Sequence, residues 1–124
     1  VGTVSGTSIS FGTIALFESA LTAYHTATYD STNNKVVIAY QDQGNSSYGT
    51  AIVGTVSGTS ISFGAAAVFN STSTLWNSAT FDSTANKVVI AYRNAGNLSY
   101  GTAIVGTVFF LWHNYCRNTK WDVN

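Results

Sequence analysis

The pattern of hydrophobic and polar positions predicts four short β-strands in each half of the chain. Lys35–Gln41 (KVVIAYQ) has a continuous apolar run, which is typical of a strand covered on both faces. Ser60–Phe63 alternates Ser, Ile, Ser and Phe, as expected of a half-exposed edge strand. Two further strands are predicted at Thr26–Tyr29 and Tyr48–Val56. β-Branched residues dominate and no apolar stripe has a helical period, so no helix longer than one turn is expected.

A 52-residue repeat organises these strands. Val1–Gly12 and Val53–Gly64 have the same sequence, VGTVSGTSISFG, which sets the period. Residues i and i+52 are identical at 40 of the 56 pairs that can be compared before the repeat stops after Val108. This similarity indicates a recent duplication, so the two copies should have the same fold.

The chain therefore divides into two repeats, near 1–52 and 53–108, and a tail of residues 109–124 outside the repeat. After Val108 the repeat would require SGTSISFG, but the tail reads FFLWHNYCRNTKWDVN. Burial of its first apolar residues would contribute roughly 1.5–3 kcal/mol each. We therefore expect the tail to pack on the second repeat or on a neighbouring chain.

Four antiparallel strands in a period of this length are the pattern of a β-propeller blade. Residues 29–64 (YDSTNNKVVIAYQDQGNSSYGTAIVGTVSGTSISFG) resemble the tandem blades of bacterial and phage-associated β-propeller repeat proteins of the secreted or surface type. The resemblance covers about Val1–Val108. It implies that the strand Thr26–Tyr29, which ends in ATY, is the innermost strand, that KVVIAY and YGTAIVGTV are central, and that SISFG is outermost. A β-sandwich made of two duplicated sheets is the alternative fold.

The phase of the repeat predicts self-association. The repeat starts and stops inside the third predicted strand, so each copy has the strand order fourth, first, second, third. Such an order lets one chain complete a blade of its neighbour. A propeller ring needs about 4–8 blades, and two isolated blades leave apolar faces and a strand edge in water. We expect a homo-oligomeric ring or an open filament, or else that this chain is a piece of a longer array.

Composition and charge exclude several classes of partner. Five basic residues balance five acidic ones, and charged residues are only 8% of the chain. Without a basic cluster, binding to nucleic acid or to an acidic membrane surface is not expected. No apolar stretch approaches the ~18 residues needed to span a bilayer, so membrane insertion is not expected either.

Metal, cofactor and nucleophile motifs are not apparent in the sequence. His25 and His113 have no metal or catalytic spacing, and Cys116 is the only cysteine. Asp30–Asn34 resembles a calcium loop superficially, but it lacks the glycine and the distal bidentate Glu. We interpret this segment as a capped turn and predict no cofactor.

The acidic residues do not suggest the pair of carboxylates, ~5–9.5 Å apart, that glycoside hydrolysis requires. Glu18 and Asp42 are Asn in the second copy, and Asp30 and Asp82 occupy the same turn of each repeat. Propeller sialidases also carry an arginine cluster and an S-x-D-x-G-x-T-W box, which this chain lacks. We predict that the protein is not an enzyme.

Loop amides and aromatic side chains are the remaining candidates for binding. The loops 42–47 and 94–99 are predicted to emerge on the same end of the blades as the segments around Tyr24 and Trp76. Aromatic rings beside amides suit sugars, because the rings stack on C–H faces while the amides bond hydroxyls. Alternatively, these two rings fill the gap between the blades. The candidate glycan-binding residues are Tyr24, Asp42, Asn45, Trp76, Asn94 and Asn97.

Three sequons for N-glycosylation are consistent with a protein surface that is exposed outside the cell. They begin at Asn45, Asn70 and Asn97, and each is a candidate for N-glycosylation. The hypothesis that follows is a non-enzymatic structural or surface protein of an extracellular fibre, virion or cell surface, whose partners are copies of itself. The alternative is a lectin-like carbohydrate-binding module, with glycans as partners.

Overall fold

The computed structural model describes residues 1–109, and in this range the chain is all-β, as predicted. A single 3₁₀ turn, Gln43–Asn45, is the only helical element of the described residues. The strands are β1 (Gly2–Ser5), β2 (Ser8–Phe11), β3 (Thr22–Asp30), β4 (Lys35–Asp42), β5 (Tyr48–Ser57), β6 (Ser60–Phe63), β7 (Ala67–Asp82), β8 (Lys87–Asn94) and β9 (Tyr100–Gly106).

Every strand pairing is antiparallel. β1 and β2 form a separate hairpin, and the other seven strands form one sheet in the order β3-β4-β5-β7-β8-β9, with β6 also paired to β5. β6 and the first part of β7 share one edge of β5, where β6 pairs with Gly54–Ser57 and β7 pairs with 48–51. No closed barrel or ring of blades is formed by the described residues.

The equivalent hairpins of the two repeats have the same local structure. In the first repeat β4 and β5 pair with Val36 opposite Gly54, and in the second β8 and β9 pair with Val88 opposite Gly106, 52 residues further on. The β1–β2 hairpin likewise repeats the pairing of the end of β5 with β6. Gly6 and Gly58 have the same left-handed φ, of 60° and 57°, in the turns of these two hairpins.

Strand β7 connects the repeats and is much longer than expected. Only Ala79–Phe81 (ATF), the counterpart of Ala27–Tyr29 (ATY), was predicted as a strand, whereas β7 has 16 residues. Its first part pairs with β5 of the first repeat, and its second part pairs with β8 of the second repeat. A single strand therefore carries the chain from one repeat into the next.

The turn after β3 is capped as predicted. The buried Asp30 carboxylate accepts hydrogen bonds from the backbone N–H groups of Thr32 (3.0 Å) and Asn33 (2.9 Å) and from the Asn33 side-chain amide (2.8 Å). Asp82 accepts the two equivalent backbone bonds in the second repeat, from Thr84 and Ala85. These acidic residues satisfy turn N–H groups, as Asp does at tight turns.

The core lies between the two repeats. Val37 and Ala39 of β4 form one buried cluster with Val88, Ile90 and Tyr92 of β8. The β4 residues and the β8 residues of this cluster lie on opposite faces of equivalent strands, because Val37 corresponds to Val89 rather than to Val88.

We name the two faces by their roles at the junction between the repeats. The receiving face of the first repeat is Val37, Ala39, Gln41, Gly49, Ala51 and Val53, and the inserting face of the second repeat is Ala79, Phe81, Val88, Ile90, Tyr92 and Ile104.

Candidate functional site

Two equivalent β-bulges position an aromatic pair at the junction of the repeats. The ladder of β3 with β4 shifts register between Ala23 and Thr26, and the ladder of β7 with β8 shifts between Leu75 and Ser78. Tyr24 and Trp76 lie in these bulges with φ of 51° and 52°, which is uncommon for bulky side chains. A bulge removes a residue from the regular alternation of a strand and redirects its side chain.

The structure brings Tyr24, Trp76 and Arg93 together, and we call these three residues the aromatic cluster. The ring centroids of Tyr24 and Trp76 are 6.0 Å apart in an edge-to-face arrangement. The Arg93 guanidinium lies 5.0 Å from the centre of the Trp76 ring, a cation–π distance, and its Nη2 donates to Ser99 Oγ at 2.8 Å. Trp76 remains 60% exposed and Tyr24 37% exposed. An apolar ring surface beside a cation and hydroxyls is thus presented to solvent.

The predicted loop residues divide into exposed and engaged side chains. Asn45 and Asn97 are exposed. The Asp42 carboxylate, in contrast, is buried and accepts from Asn45 N at 3.1 Å, so it caps the 3₁₀ turn. Asn94 Oδ1 accepts from Gly96 N at 3.0 Å and from Thr72 Oγ1 at 2.7 Å. Asp42 and Asn94 therefore hold the loops in shape, and the exposed polar groups of this set belong to Asn45 and Asn97.

The sequon at Asn70 differs from the other two. Asn70 is half-buried at the pairing of β7 with β5, and its Nδ2 donates to the backbone oxygen (3.1 Å) and to the Oγ1 (2.7 Å) of Thr72. Glycosylation modifies that nitrogen, so the amide would have to leave both bonds.

Sequence reasoning missed Arg93 and Asn77. Arg93 replaces Gln41 of the first repeat, and Asn77 replaces His25, so a comparison of the positions at which the copies differ would have marked both. Asn77 is buried, and neither its Oδ1 nor its Nδ2 has a hydrogen-bond partner within residues 1–109. The Oγ1 of the fully buried Thr74 is also unpartnered there.

Other titratable groups near the junction have local partners. His25 Nε2 lies 2.7 Å from Thr22 Oγ1. Glu18 accepts from the backbone N–H groups of Ser19 and Ala20, and these bonds lower the pKa of its carboxyl group. Burial raises the pKa of Tyr40 to about 12, with the nearby charges of Glu18 and Asp42 acting in the same direction.

Neither a metal cluster nor a membrane-spanning helix is found in residues 1–109. No three His, Cys, Asp or Glu side chains come together there in a way that would hold an ion. Nor does that part of the chain have a helix of the length and apolarity required to cross a bilayer. His113 and Cys116 lie outside the described residues, as does the tail beyond Phe109.

A second candidate site is the receiving face of the second repeat, formed by the counterparts of the buried junction residues. This face consists of Val89, Ala91, Arg93, Gly101, Ala103 and Val105. Ala39 is fully buried in the first repeat, whereas its counterpart Ala91 is exposed. Val53 is half-buried, whereas Val105 is 60% exposed.

The same contrast holds for two glycines. A Cβ added at Gly49 would lie 2.5 Å from the Phe69 ring and 2.7 Å from Thr74 Cγ2, so the absence of a side chain makes room for the second repeat. A Cβ added at Gly101 would have no such neighbour within 4 Å. The free edge of β9 also lacks the partner that β5 has in β7, among the strands of the described chain. The second repeat thus presents an unfilled copy of the surface that the first repeat uses internally.

The inserting face of the first repeat is exposed only in part, because Tyr40 and Ile52, the counterparts of Tyr92 and Ile104, are buried. Ala27 and Tyr29 are exposed, whereas their counterparts Ala79 and Phe81 pack at the junction. Phe17 already packs on Tyr40 at a centroid distance of 5.1 Å, as its counterpart Phe69 packs on Tyr92 at 5.2 Å. Each chain therefore presents an exposed receiving face on its second repeat and, on its first repeat, an inserting face of which Ala27 and Tyr29 are exposed.

Comparisons with known proteins add no family to this description. No protein-family model, curated protein or solved structure matches the chain.

Proposed function

We propose that the chain is a non-enzymatic structural repeat protein of an extracellular fibre, virion or cell surface that associates with copies of itself. One observation carries the proposal: the surface that is buried between the repeats recurs, exposed, on the second repeat. Exposed apolar sheet faces with unpaired edges are avoided in stable monomers and are typical of interfaces. A contact between two different faces of identical chains is heterologous, so it builds a ring if its rotation closes and a fibre if it does not.

The repeats are interpreted as β-propeller-like blades. The antiparallel order β3-β4-β5-β6 supports this interpretation, because a blade is a four-stranded antiparallel sheet. β3 would be the innermost strand and β6 the outermost. The packing of the inserting face of the second repeat on the receiving face of the first corresponds to the packing of adjacent blades.

Negative-stain electron microscopy of the purified chain tests the proposed function. Closed rings or fibres of regular width are expected. Particles no larger than one chain would contradict self-association.

The second candidate function is lectin-like glycan binding, which the aromatic cluster favours. The exposed Trp76 ring offers a stacking surface for a sugar, and Arg93 and Ser99 offer hydrogen bonds at its edge. A pocket repeated on each copy would add avidity to weak binding.

A glycan array with matched aromatic variants tests this candidate. Saturable binding that is lost in Trp76→Ala and retained in Tyr29→Ala would favour the lectin. Tyr29 is the control because it is similarly exposed but lies at the far end of β3, bonded to Asn34. No binding by the unmodified chain, together with visible polymers, would favour the structural role alone.

A further inference from the structure

The junction between the two repeats defines how one repeat receives the next. β5 and β7 pair with Tyr48 opposite Ser73, Gly49 opposite Asn70, Thr50 opposite Val68 and Ala51 opposite Ala67. The Thr74 N–H donates to Ser47 O at 3.2 Å, and the Phe69 ring occupies the space above Gly49. Backbone pairing and one aromatic ring therefore hold the junction.

The repeat allows the same geometry to form between two copies. In such a transferred contact the second repeat of one copy takes the place of the first repeat, and the first repeat of the next copy takes the place of the second. In that contact Gly101 of one copy lies opposite Glu18 of the next, and Thr102 lies opposite Leu16. The segment Ala15–Leu21 is not a strand in the single chain, although its counterpart is the first part of β7. A strand needs a partner for its N–H and C=O groups, and β9 of another copy supplies one.

Two features of the single chain are already arranged for this contact. Phe17 packs on its own Tyr40 in the way that Phe69 packs on Tyr92, so its ring is placed to enter the space above Gly101. β9 ends at Gly106, whereas β5 continues for three residues beyond its counterpart, Gly54. In the next copy, β1 has the sequence of the end of β5, residues 54–57, and β2 has the sequence of β6.

Two of the residues that differ between the internal junction and the transferred contact are charged. Gln41 lies opposite Gly49, and Gly49 lies opposite Asn70, so the internal junction places two neutral amides on either side of a glycine. At the transferred contact these positions hold Arg93 and Glu18, again with a glycine, Gly101, between them. Because the Phe17 ring would lie above this glycine, the two long side chains would flank the ring and bring opposite charges to either side of it.

Resting on the proposed self-association, we propose that copies dock head to tail by pairing β9 of one copy with residues 15–21 of the next, and that Arg93 and Glu18 form a charged pair that fixes this register. The pair acts between chains only, because the internal junction carries amides at both positions. Electrostatic complementarity of this kind selects the partner and the register of an interface.

A charge-swap series measured by sedimentation velocity tests the pair. Arg93→Glu and Glu18→Arg each place like charges together and are expected to weaken self-association by about tenfold or more. The double variant with both changes is expected to return to within a few-fold of the unmodified chain. The matched control is Arg93→Gln with Glu18→Asn, which reproduces the internal amides and should associate with intermediate affinity.

The outcomes separate this proposal from the proposed function. Suppose that the unmodified chain associates. If the double variant then associates as weakly as the single variants, or if neither single variant weakens association, the charged pair is wrong while self-association stands. If the unmodified chain is monomeric at every concentration, both are wrong. Circular dichroism of each variant checks that the fold is retained.

Disulfide trapping tests the register independently of the charges. In a Cys116→Ser background, chains with Leu16→Cys are mixed with chains with Thr102→Cys, and a cross-linked dimer is expected on oxidation. The control places cysteines at Thr50 and Val68, the equivalent pair inside one chain, where an internal cross-link is expected. Formation of the internal link without the dimer would overturn the proposed strand pairing.

Discussion

Gly49 and Gly101 provide a matched test of the junction between the repeats. Both glycines lie in the same local sequence, Tyr-Gly-Thr-Ala-Ile-Val, and at the same position of equivalent strands. The perturbation is a single methyl group, introduced as Gly49→Ala or as Gly101→Ala. Any effect of the methyl group on the unfolded chain is therefore the same for both variants.

The size of the expected change in the free energy of unfolding follows from the atoms that the new Cβ would contact. At Gly49 it would lie 2.5 and 2.6 Å from two Phe69 ring carbons and 2.7 Å from Thr74 Cγ2, and Thr74 is fully buried. Overpacking of this kind costs about 1–3 kcal/mol. At Gly101 the methyl group meets nothing, so the loss of unfolded-state entropy stabilises the chain by about 0.4–1 kcal/mol. The unfolded-state term is common to both variants, so their difference, about 1–3 kcal/mol, isolates the clash.

The assay is equilibrium urea unfolding followed by circular dichroism, at concentrations where sedimentation shows the monomer. Gly49→Ala should have a lower midpoint than the unmodified chain, with an unchanged slope, and Gly101→Ala should have an equal or higher midpoint. Equal midpoints for the two variants would refute the packing of the second repeat on the first.

Three further predictions concern stability. Asp30→Ala should lower the free energy of unfolding by about 2 kcal/mol and Asp82→Ala by about 1, because Asp30 is buried with one additional hydrogen bond; a larger loss for Asp82→Ala in urea unfolding would contradict the assignment. Gln41→Ala should cost about 1–3 kcal/mol in the same assay, since it leaves the buried Thr74 carbonyl without the 2.7 Å bond from Gln41 Nε2, and a neutral effect would count against that bond. Because the pKa of Tyr40 rises to about 12 in the folded state, the unfolded chain loses this proton first. The stability that Tyr40 contributes should be complete below about pH 10 and should decline towards pH 12, and thermal melts of Tyr40→Phe should show a weaker decline.

Local sequence was sufficient to predict the strands whose partners lie nearby in the chain. The apolar run Lys35–Gln41 became β4, buried along most of its length, and the alternating Ser60–Phe63 became β6 with its Ile and Phe more buried than its serines. The repeat also explains why the two bulges, with Tyr24 and Trp76, occur at equivalent positions. These features depend on side chains and turns within one period.

The first part of β7 was not predictable in this way. Residues 67–73 form a strand because β5 lies beside them, whereas the related segment 15–21 has no such neighbour in the chain and is irregular. Arg93 was missed for a similar reason, since its contact with Trp76 depends on the bulge in β7 and not on any motif.

Light scattering coupled to size-exclusion chromatography, over a wide range of loading concentrations, tests the self-association of the chain most directly. Self-association predicts a mass that rises with concentration above the 13.1 kDa of one chain, towards a closed ring of fixed size or an open series of polymers. A constant mass of 13.1 kDa at every concentration would contradict it.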